Sequence, residues 1–129
     1  MEKKGKILII EDNAPYARYL GNWLRPHGYE VETACHSASA KKMLGGENTY
    51  VCVLADIRLP DGDGVEILAW MRKRGIAIPY IVMTQNEDVT SAVKAMKLGA
   101  KDYLPKKLID EESLLKTIED AIGETRRKK

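Results

Sequence analysis

Long apolar runs are missing from this chain. Its apolar stretches of strand character, Ile7–Ile10, Val51–Ala55 and Tyr80–Met83, hold four to five residues each. A bilayer-spanning helix needs roughly 20, so none is expected. The basic start Met1-Glu2-Lys3-Lys4-Gly5-Lys6 leads only into Ile7-Leu8-Ile9-Ile10. A secretory leader carries an apolar region of about 7–15 residues, so the expected location is the cytoplasm. Cysteine is scarce: Cys35 and Cys52 are the only two. That excludes a disulfide scaffold, and both read as small apolar residues in a reducing compartment. His27 and His36 do not stand at zinc-site spacing from either cysteine. An excess of one charge is also lacking, since 21 basic residues face 19 acidic ones for a net +2. So small a surplus argues against direct nucleic-acid or membrane binding. The basic tail Arg126-Arg127-Lys128-Lys129 is too short for a dedicated basic arm; it suits the end of a last helix or the start of a linker. Low-complexity segments and internal linkers are absent. One domain over residues 1–129 is expected, with its core over about 6–123.

What is present is an alternation. Hydrophobic residues make up 44% and charged residues 31% of the chain, an ordinary globular balance. Ile7–Ile10 is short, uninterrupted and rich in β-branched residues, which suits a strand buried on both faces. Asn13 is a helix cap, with Pro15 in the first turn and Ala17, Leu20 and Leu24 at helical spacing behind it. Pro26-His27-Gly28 stops that helix, and the His27 imidazole suits its C-terminal end. Tyr29 to Ala34 alternates as a second strand, and Ser37 to Leu44 is a short helix ended by Gly45-Gly46. Val51–Ala55 is a third strand with Asp56 at its end. Val65 to Arg74 follows as a helix, with Val65, Leu68 and Met71 facing inward. Tyr80–Met83 is the fourth strand; Val89, Val93 and Met96 line one face of the next helix, which Gly99 ends. Asp102–Leu104 is the last strand, and Leu114, Leu115, Ile118 and Ile122 mark the last helix. Trp23 and Trp70 read as packing residues on helices.

Such strand–helix alternation calls for a parallel sheet with helices on both faces. The chain is far too short for an eightfold barrel, which leaves an α/β doubly wound sheet. In such sheets ligands bind at the carboxyl ends of the strands. The residues at those ends are Glu11-Asp12, Asp56, Thr84 and, after the fifth strand, Lys106. Three carboxylates brought together repel one another, and a hard cation such as Mg²⁺ resolves that repulsion while keeping sites for phosphate oxygens. A lysine and a hydroxyl beside them provide charge neutralisation and orientation for a transferred phosphoryl group. An Asp carboxylate can itself be the nucleophile. Each residue alone has a blander explanation: a solvated turn for the acidic pair, a helix cap for Thr84, a surface lysine for Lys106, a half-buried sheet residue for Tyr103. The specific signal is their conjunction at successive strand ends.

With these residues in view, the chain resembles the receiver domains of two-component response regulators. The resemblance runs from Lys6 to about Gly123. It is carried by Ile9-Ile10-Glu11-Asp12-Asn13, by Asp56-Ile57-Arg58-Leu59-Pro60-Asp61-Gly62-Asp63-Gly64, by Met83-Thr84, and by the segment from Ala95 to Lys106. It implies a flavodoxin-like, five-stranded parallel sheet in the order 2-1-3-4-5. It also implies phosphorylation of Asp56 by a histidine kinase or phosphotransfer protein. Asp12 would ligate Mg²⁺ directly, Glu11 through water, and the Arg58 backbone carbonyl would complete the protein ligands. Lys106 would pair with the phosphoryl oxygens, and Thr84 and Tyr103 would form the switch couple. An output domain or a second copy would meet the face made by helix 4, strand 5 and helix 5. The wording around Asp56 and from Ala95 to Leu104 is most similar to receivers of AAA+ ATPase-containing transcriptional activators.

Two positions depart from the family pattern. Lys107 stands where the family places a proline after its lysine, in a cis peptide. A non-proline cis bond costs about 2.5–4 kcal/mol, so the bond is either trans or strained. Gln85 is long where a small residue is usual. Both features favour an alternative, a pseudo-receiver that binds partners without cycling phosphate. A phosphohydrolase of the haloacid dehalogenase type is disfavoured, because its second aspartate would fall at Arg58, which does not deprotonate. A flavin-binding role is disfavoured by the acidic loop Glu11-Asp12-Asn13-Ala14-Pro15, where a phosphate cradle needs N–H donors. The expectation is a switch and not a turnover enzyme.

Overall fold

A computed structural model describes residues 3–85 and 89–127. Its main sheet has five parallel strands: β1 (Gly5–Ile10), β2 (Tyr29–Ala34), β3 (Tyr50–Asp56), β4 (Tyr80–Thr84) and β5 (Asp102–Pro105). They lie in the order β2-β1-β3-β4-β5, the flavodoxin-like order expected. The helices are α1 (Ala14–Leu24), α2 (Ser37–Gly45), α3 (Gly64–Lys73), α4 (Val89–Lys97) and α5 (Glu111–Arg127).

The period-2 alternation of a strand divides the core into two layers. Leu8, Ile10, Val53, Ala55, Tyr80 and Val82 face α2, α3 and α4, meeting Ala40, Leu44, Leu68, Met71 and Ala95. Ile7, Ile9, Cys52, Leu54, Ile81 and Met83 face α1 and α5, meeting Ala17, Leu20, Leu24, Leu114 and Ile118. All four residues Ile7–Ile10 are fully buried, as a central strand of β-branched and leucine residues requires. Trp23 and Trp70 pack at the edges of these layers, and both cysteines are free thiols.

Local signals work as read. The Asn13 side chain accepts from the Tyr16 N–H at 3.0 Å, and α1 opens behind it. His27 closes a 3₁₀ turn over Arg25–His27, and its Nε2 lies 3.1 Å from a Glu111 oxygen at the start of α5. One apolar stripe faces outward. Val89, Val93 and Met96 on α4 are 64%, 47% and 45% exposed, and the buried residues of that helix are Ala92 and Ala95. Small alanines let α4 lie close to the sheet, which leaves its larger residues at the rim. Among the described residues no helix is long and apolar enough to cross a membrane. Of the basic tail, Lys128 and Lys129 lie outside the described residues, as do Met1 and Glu2 at the other end.

The tightest backbone approach lies beneath Asp56. The Gly64 N–H donates to the Ile57 carbonyl at 2.9 Å, and the Gly64 carbonyl accepts from the buried Tyr80 hydroxyl at 2.6 Å. A Cβ on Gly64 would stand 2.4 Å from the Asp56 carbonyl oxygen. Gly64→Ala should therefore cost about 1–3 kcal/mol of stability in urea unfolding, as overpacking against immovable backbone does. Gly46→Ala is the control. Its Cβ would meet nothing nearer than the Lys42 carbonyl at 3.6 Å, and its backbone is extended. That change should be neutral or stabilise by up to about 1 kcal/mol. Equal losses in both variants would contradict the close approach at Gly64.

Candidate functional site

The sheet order reverses at β1, which has β2 on one side and β3 on the other. Crevices form at the carboxyl ends of strands at such a point. Glu11 follows β1 directly; its N–H continues the ladder to the Ala34 carbonyl at 2.9 Å, and its side chain is buried. Asp12 is exposed beside it. Asp56 ends β3 with only 6% of its surface exposed. Carboxylate oxygens of Glu11, Asp12 and Asp56 lie within 4.8 Å of one another, as three ligands of one cation must. Lys106 opens the 3₁₀ turn after β5 and reaches back over this cluster. Its ammonium pairs with the Glu11 carboxylate and, at 2.8 Å, with Asp56 Oδ2. It also lies 4.7 Å from the centre of the Tyr16 ring. The resulting open cavity, about 440 Å³, is further lined by Asn13, Gln85 and Lys107.

The charges of the cluster itself do not balance. Three carboxylates against Lys106, the one ammonium paired with them among the described residues, leave an excess of two negative charges when all are ionised. Burial pushes the Glu11 carboxyl up to about 7, and the Asp56 charge adds to that, while the Lys106 ammonium and the Asn13 N–H pull the other way. Burial works against the Lys106 charge too, but its hydrogen bonds to Asp56 and Glu11 outweigh it and raise its pKa. Both shifts run toward protonation, the response of a site short of positive charge.

The remaining expected residues fall around this centre. Thr84 is buried at the last position of β4, one residue beyond Met83, which sits in register with Asp56. Tyr103 is half-buried in β5, in register with Val82, and packs on the α4 side of the sheet. Val82 and Thr84 share a strand face, so Thr84, Tyr103 and α4 lie on one side. Tyr103 lines an open groove of about 400 Å³ with Val89, Ala92, Val93, Met96 and Lys97. The Arg58 side chain is exposed, while its backbone N–H donates to Asp56 Oδ1 at 3.3 Å. The Lys106–Lys107 bond is trans, which settles the choice posed by the missing proline. Gln85 and Lys107 both border the cavity, so the two departures from the family pattern sit at the site itself.

Two residues carry no role in the sequence reading. Tyr16 forms the floor under the Lys106 ammonium; its position three residues after the Asn13 cap was the available signal. Asp61 accepts the Ser37 and Ala38 N–H groups at 2.6 and 3.0 Å and so caps α2 from a distant loop. Nothing in the local sequence marks that partner.

Comparison with known proteins places this geometry. Residues 7–119 match the response regulator receiver domain family. The chain is 37% identical over 122 residues to the transcriptional regulatory protein FixJ of Bradyrhizobium diazoefficiens, covering 95% of this chain and 58% of that one. The chain spans between 23% and 58% of the length of curated relatives it matches. A CheY-like receiver domain protein from Methanospirillum hungatei superposes with a TM-score of 0.86 at 27% identity, covering 100% of both chains. A response regulator from Burkholderia pseudomallei superposes with a TM-score of 0.78 at 28% identity, covering 95% of this chain and 71% of that one. That protein was crystallised with a phosphorylated aspartic acid, a calcium ion and citrate.

The buried Glu11 carboxyl sets a pH dependence of stability without metal. Its folded pKa of about 7 lies above the ordinary 4.5. Its contribution is therefore fully present below the unfolded value and lost as pH rises through the folded one. In chelator, the stability gap between wild type and Glu11→Gln should change with pH between about 4.5 and 7 and level off above, with wild type losing more. Urea unfolding across pH 5 to 8 measures it; parallel curves would show that Glu11 does not titrate in that window.

Proposed function

The chain belongs to the response regulator receiver domain family, and from this we infer that Asp56 is the phosphoacceptor of a phosphorylation-dependent signalling switch. The observation that carries the assignment is the Glu11–Asp12–Asp56 cluster bridged by Lys106. A divalent cation fits that donor set: all donors are hard oxygens, and two positive charges cancel the excess. Mg²⁺ would be held by Asp12 and Asp56 directly, by Glu11 through water and by the Arg58 carbonyl. When bound it would neutralise oxygens of the incoming phosphoryl group. The cation and phosphoaspartate of the Burkholderia relative support the same pairing here.

The residues divide the work. An Asp56 carboxylate oxygen forms a bond to phosphorus as the bond from phosphorus to the donor breaks, giving an aspartyl phosphate. The donor is the phosphohistidine of a sensor kinase or phosphotransfer protein, whose imidazole leaves. Lys106 is already 2.8 Å from Asp56, so its ammonium can follow the charge onto the phosphoryl oxygens. The Thr84 hydroxyl turns to donate to those oxygens, and the Tyr103 ring moves into the space beside β4. The face of α4, β5 and α5 then changes its fit for an output domain or a second copy. The relatives are named transcriptional regulatory proteins, so control of transcription in the cytoplasm is the proposed output, by way of an AAA+ activator or a similar partner. The receiver itself needs no nucleic-acid or membrane contact for this.

Three experiments test the reading. Acetyl phosphate with Mg²⁺ should label wild type but not Asp56→Asn. At a hundredfold excess over its Kd, Mg²⁺ should add about 2.7 kcal/mol of stability, and Asp12→Ala should lose most of that gain. A chain that binds Mg²⁺ yet takes no label would be a pseudo-receiver, with Gln85 and Lys107 the first suspects. For the switch, beryllofluoride should shift NMR signals from Asp56 through Thr84 to Tyr103 and α4. Thr84→Ala should shrink that spread while the mimic stays bound. Shifts confined to the strand ends around Asp56 would exclude the threonine–tyrosine route.

A further inference from the structure

The segment between Asp56 and α3 is held far more firmly than a surface turn needs. Arg58–Leu59 and Gly62–Asp63 pair as a two-residue antiparallel ladder, with Pro60 and Asp61 at the tip. The base of this hairpin is tied to the sheet: the Ile57 N–H donates to the Met83 carbonyl at 3.0 Å, and the Gly64 N–H to the Ile57 carbonyl at 2.9 Å. Asp63 caps α3 by accepting the Glu66 N–H at 2.7 Å. The tip is tied elsewhere. Both Asp61 carboxylate oxygens accept backbone N–H groups at the start of α2, from Ser37 at 2.6 Å and Ala38 at 3.0 Å. Those contacts hold the Asp61 carboxyl below its ordinary range. α2 has its own cap in His36, whose Nδ1 accepts the Ser39 N–H at 3.3 Å. The helix is therefore capped twice, once from its own chain and once from the hairpin.

We propose that Asp61 is a positioning residue for the cation site, fixing the hairpin that carries Arg58 by tethering its tip to the N-terminus of α2. The proposal rests on the reading that the Arg58 carbonyl is a ligand of the metal. Arg58 lies between the two anchors, three residues from Asp61 and two from Asp56. Its backbone can be placed to a fraction of an ångström only if both ends of the hairpin are fixed. Groups that orient ligands from outside the coordination shell typically affect metal affinity by about 10–100-fold. Asp61 touches no cation ligand side chain, so its effect must pass through the hairpin backbone.

The test compares Mg²⁺ affinity in the whole chain with fold stability, using NMR titration of the Glu11–Asn13 amides and urea unfolding. Asp61→Ala should weaken Mg²⁺ by about tenfold. Asp61→Asn keeps one oxygen acceptor for one of the two amides and should recover part of the loss. It also carries the test should the alanine variant fail to fold. His36→Ala removes the other α2 cap and a charge interaction with Asp61 but leaves both Asp61 hydrogen bonds to Ser37 and Ala38 in place; it should lower stability and leave Mg²⁺ affinity unchanged. The proposal is overturned if both Asp61 variants bind Mg²⁺ as wild type does. It is overturned equally if His36→Ala costs as much affinity as Asp61→Ala, since Asp61 would then only support α2. If wild type itself does not bind Mg²⁺, the metal reading falls and this proposal falls with it. That outcome is distinct, because it appears before any variant is compared.

Discussion

The structure turns on three carboxylates that share too little positive charge. Glu11, Asp12 and Asp56 stand within 4.8 Å of one another, and Lys106 is the one ammonium paired with them among the described residues. Like charges this close disfavour ionisation, and burial disfavours it further. A protein selected for stability alone would not keep such an arrangement. It persists because the sheet beneath is rigid: Ile7–Ile10 and Cys52–Ala55 are fully buried, and the chain turns directly from them into the acidic residues. The core supplies the stability that the site spends.

Firmness is unevenly distributed around that site. On the Asp56 side, Gly64 lies against the Asp56 carbonyl, Tyr80 donates to the Gly64 carbonyl, and Asp61 and Asp63 cap two helices from one hairpin. On the Tyr103 side, α4 touches the core through Ala92 and Ala95 and presents Val89, Val93 and Met96 outward. The far end of α4 is fastened: the Arg72 guanidinium donates to the Leu98 and Gly99 carbonyls at 3.0 and 3.3 Å and to the Ile76 carbonyl at 2.8 Å. A helix held at its C-terminal end and thinly packed along its length can change its tilt at modest cost. Allosteric couplings typically amount to about 1–3 kcal/mol, and a thin alanine contact is compatible with that scale where a leucine-packed one would resist it.

The fold was readable because its signals are local. Four-residue apolar strands, the Asn13 cap and the glycine stops each act within a few positions, and their alternation leaves few topologies. The acidic pair, Asp56, Thr84 and Lys106 were readable because parallel sheets gather strand ends. What stayed hidden depends on distant partners. Asp61 meets α2 24 residues away, and Tyr16 meets Lys106 only because the sheet brings β5 to within three strands of β1. The α4 stripe shows a different limit. Periodicity identifies an apolar face of a helix but does not say whether that face meets the core, and here Ala92 and Ala95 took the inward positions.

The imbalance of charge also orders the events of signalling. On the proposed phosphorylation of Asp56, the phosphoryl group carries roughly 1.5 to 2 negative charges; the carboxylate gives up its own charge in forming the aspartyl phosphate, so the site gains about 0.5 to 1. Arriving at a site with two carboxylates and Lys106 already engaged by Glu11 and Asp56, it would meet net repulsion. A divalent cation bound first removes that barrier, because it cancels the excess and frees Lys106 from holding two carboxylates alone. Cation before phosphoryl is then the sequence that the electrostatics favour. The same logic describes the phosphorylated state. The new charge exceeds what Lys106 and one cation can neutralise, so any further donor that can reach the phosphoryl oxygens is drawn toward them. On the proposed switch, Thr84, at the end of the neighbouring strand on the face shared with Tyr103 and α4, is the donor placed to respond, and its displacement would be felt on the thinly packed side of the sheet.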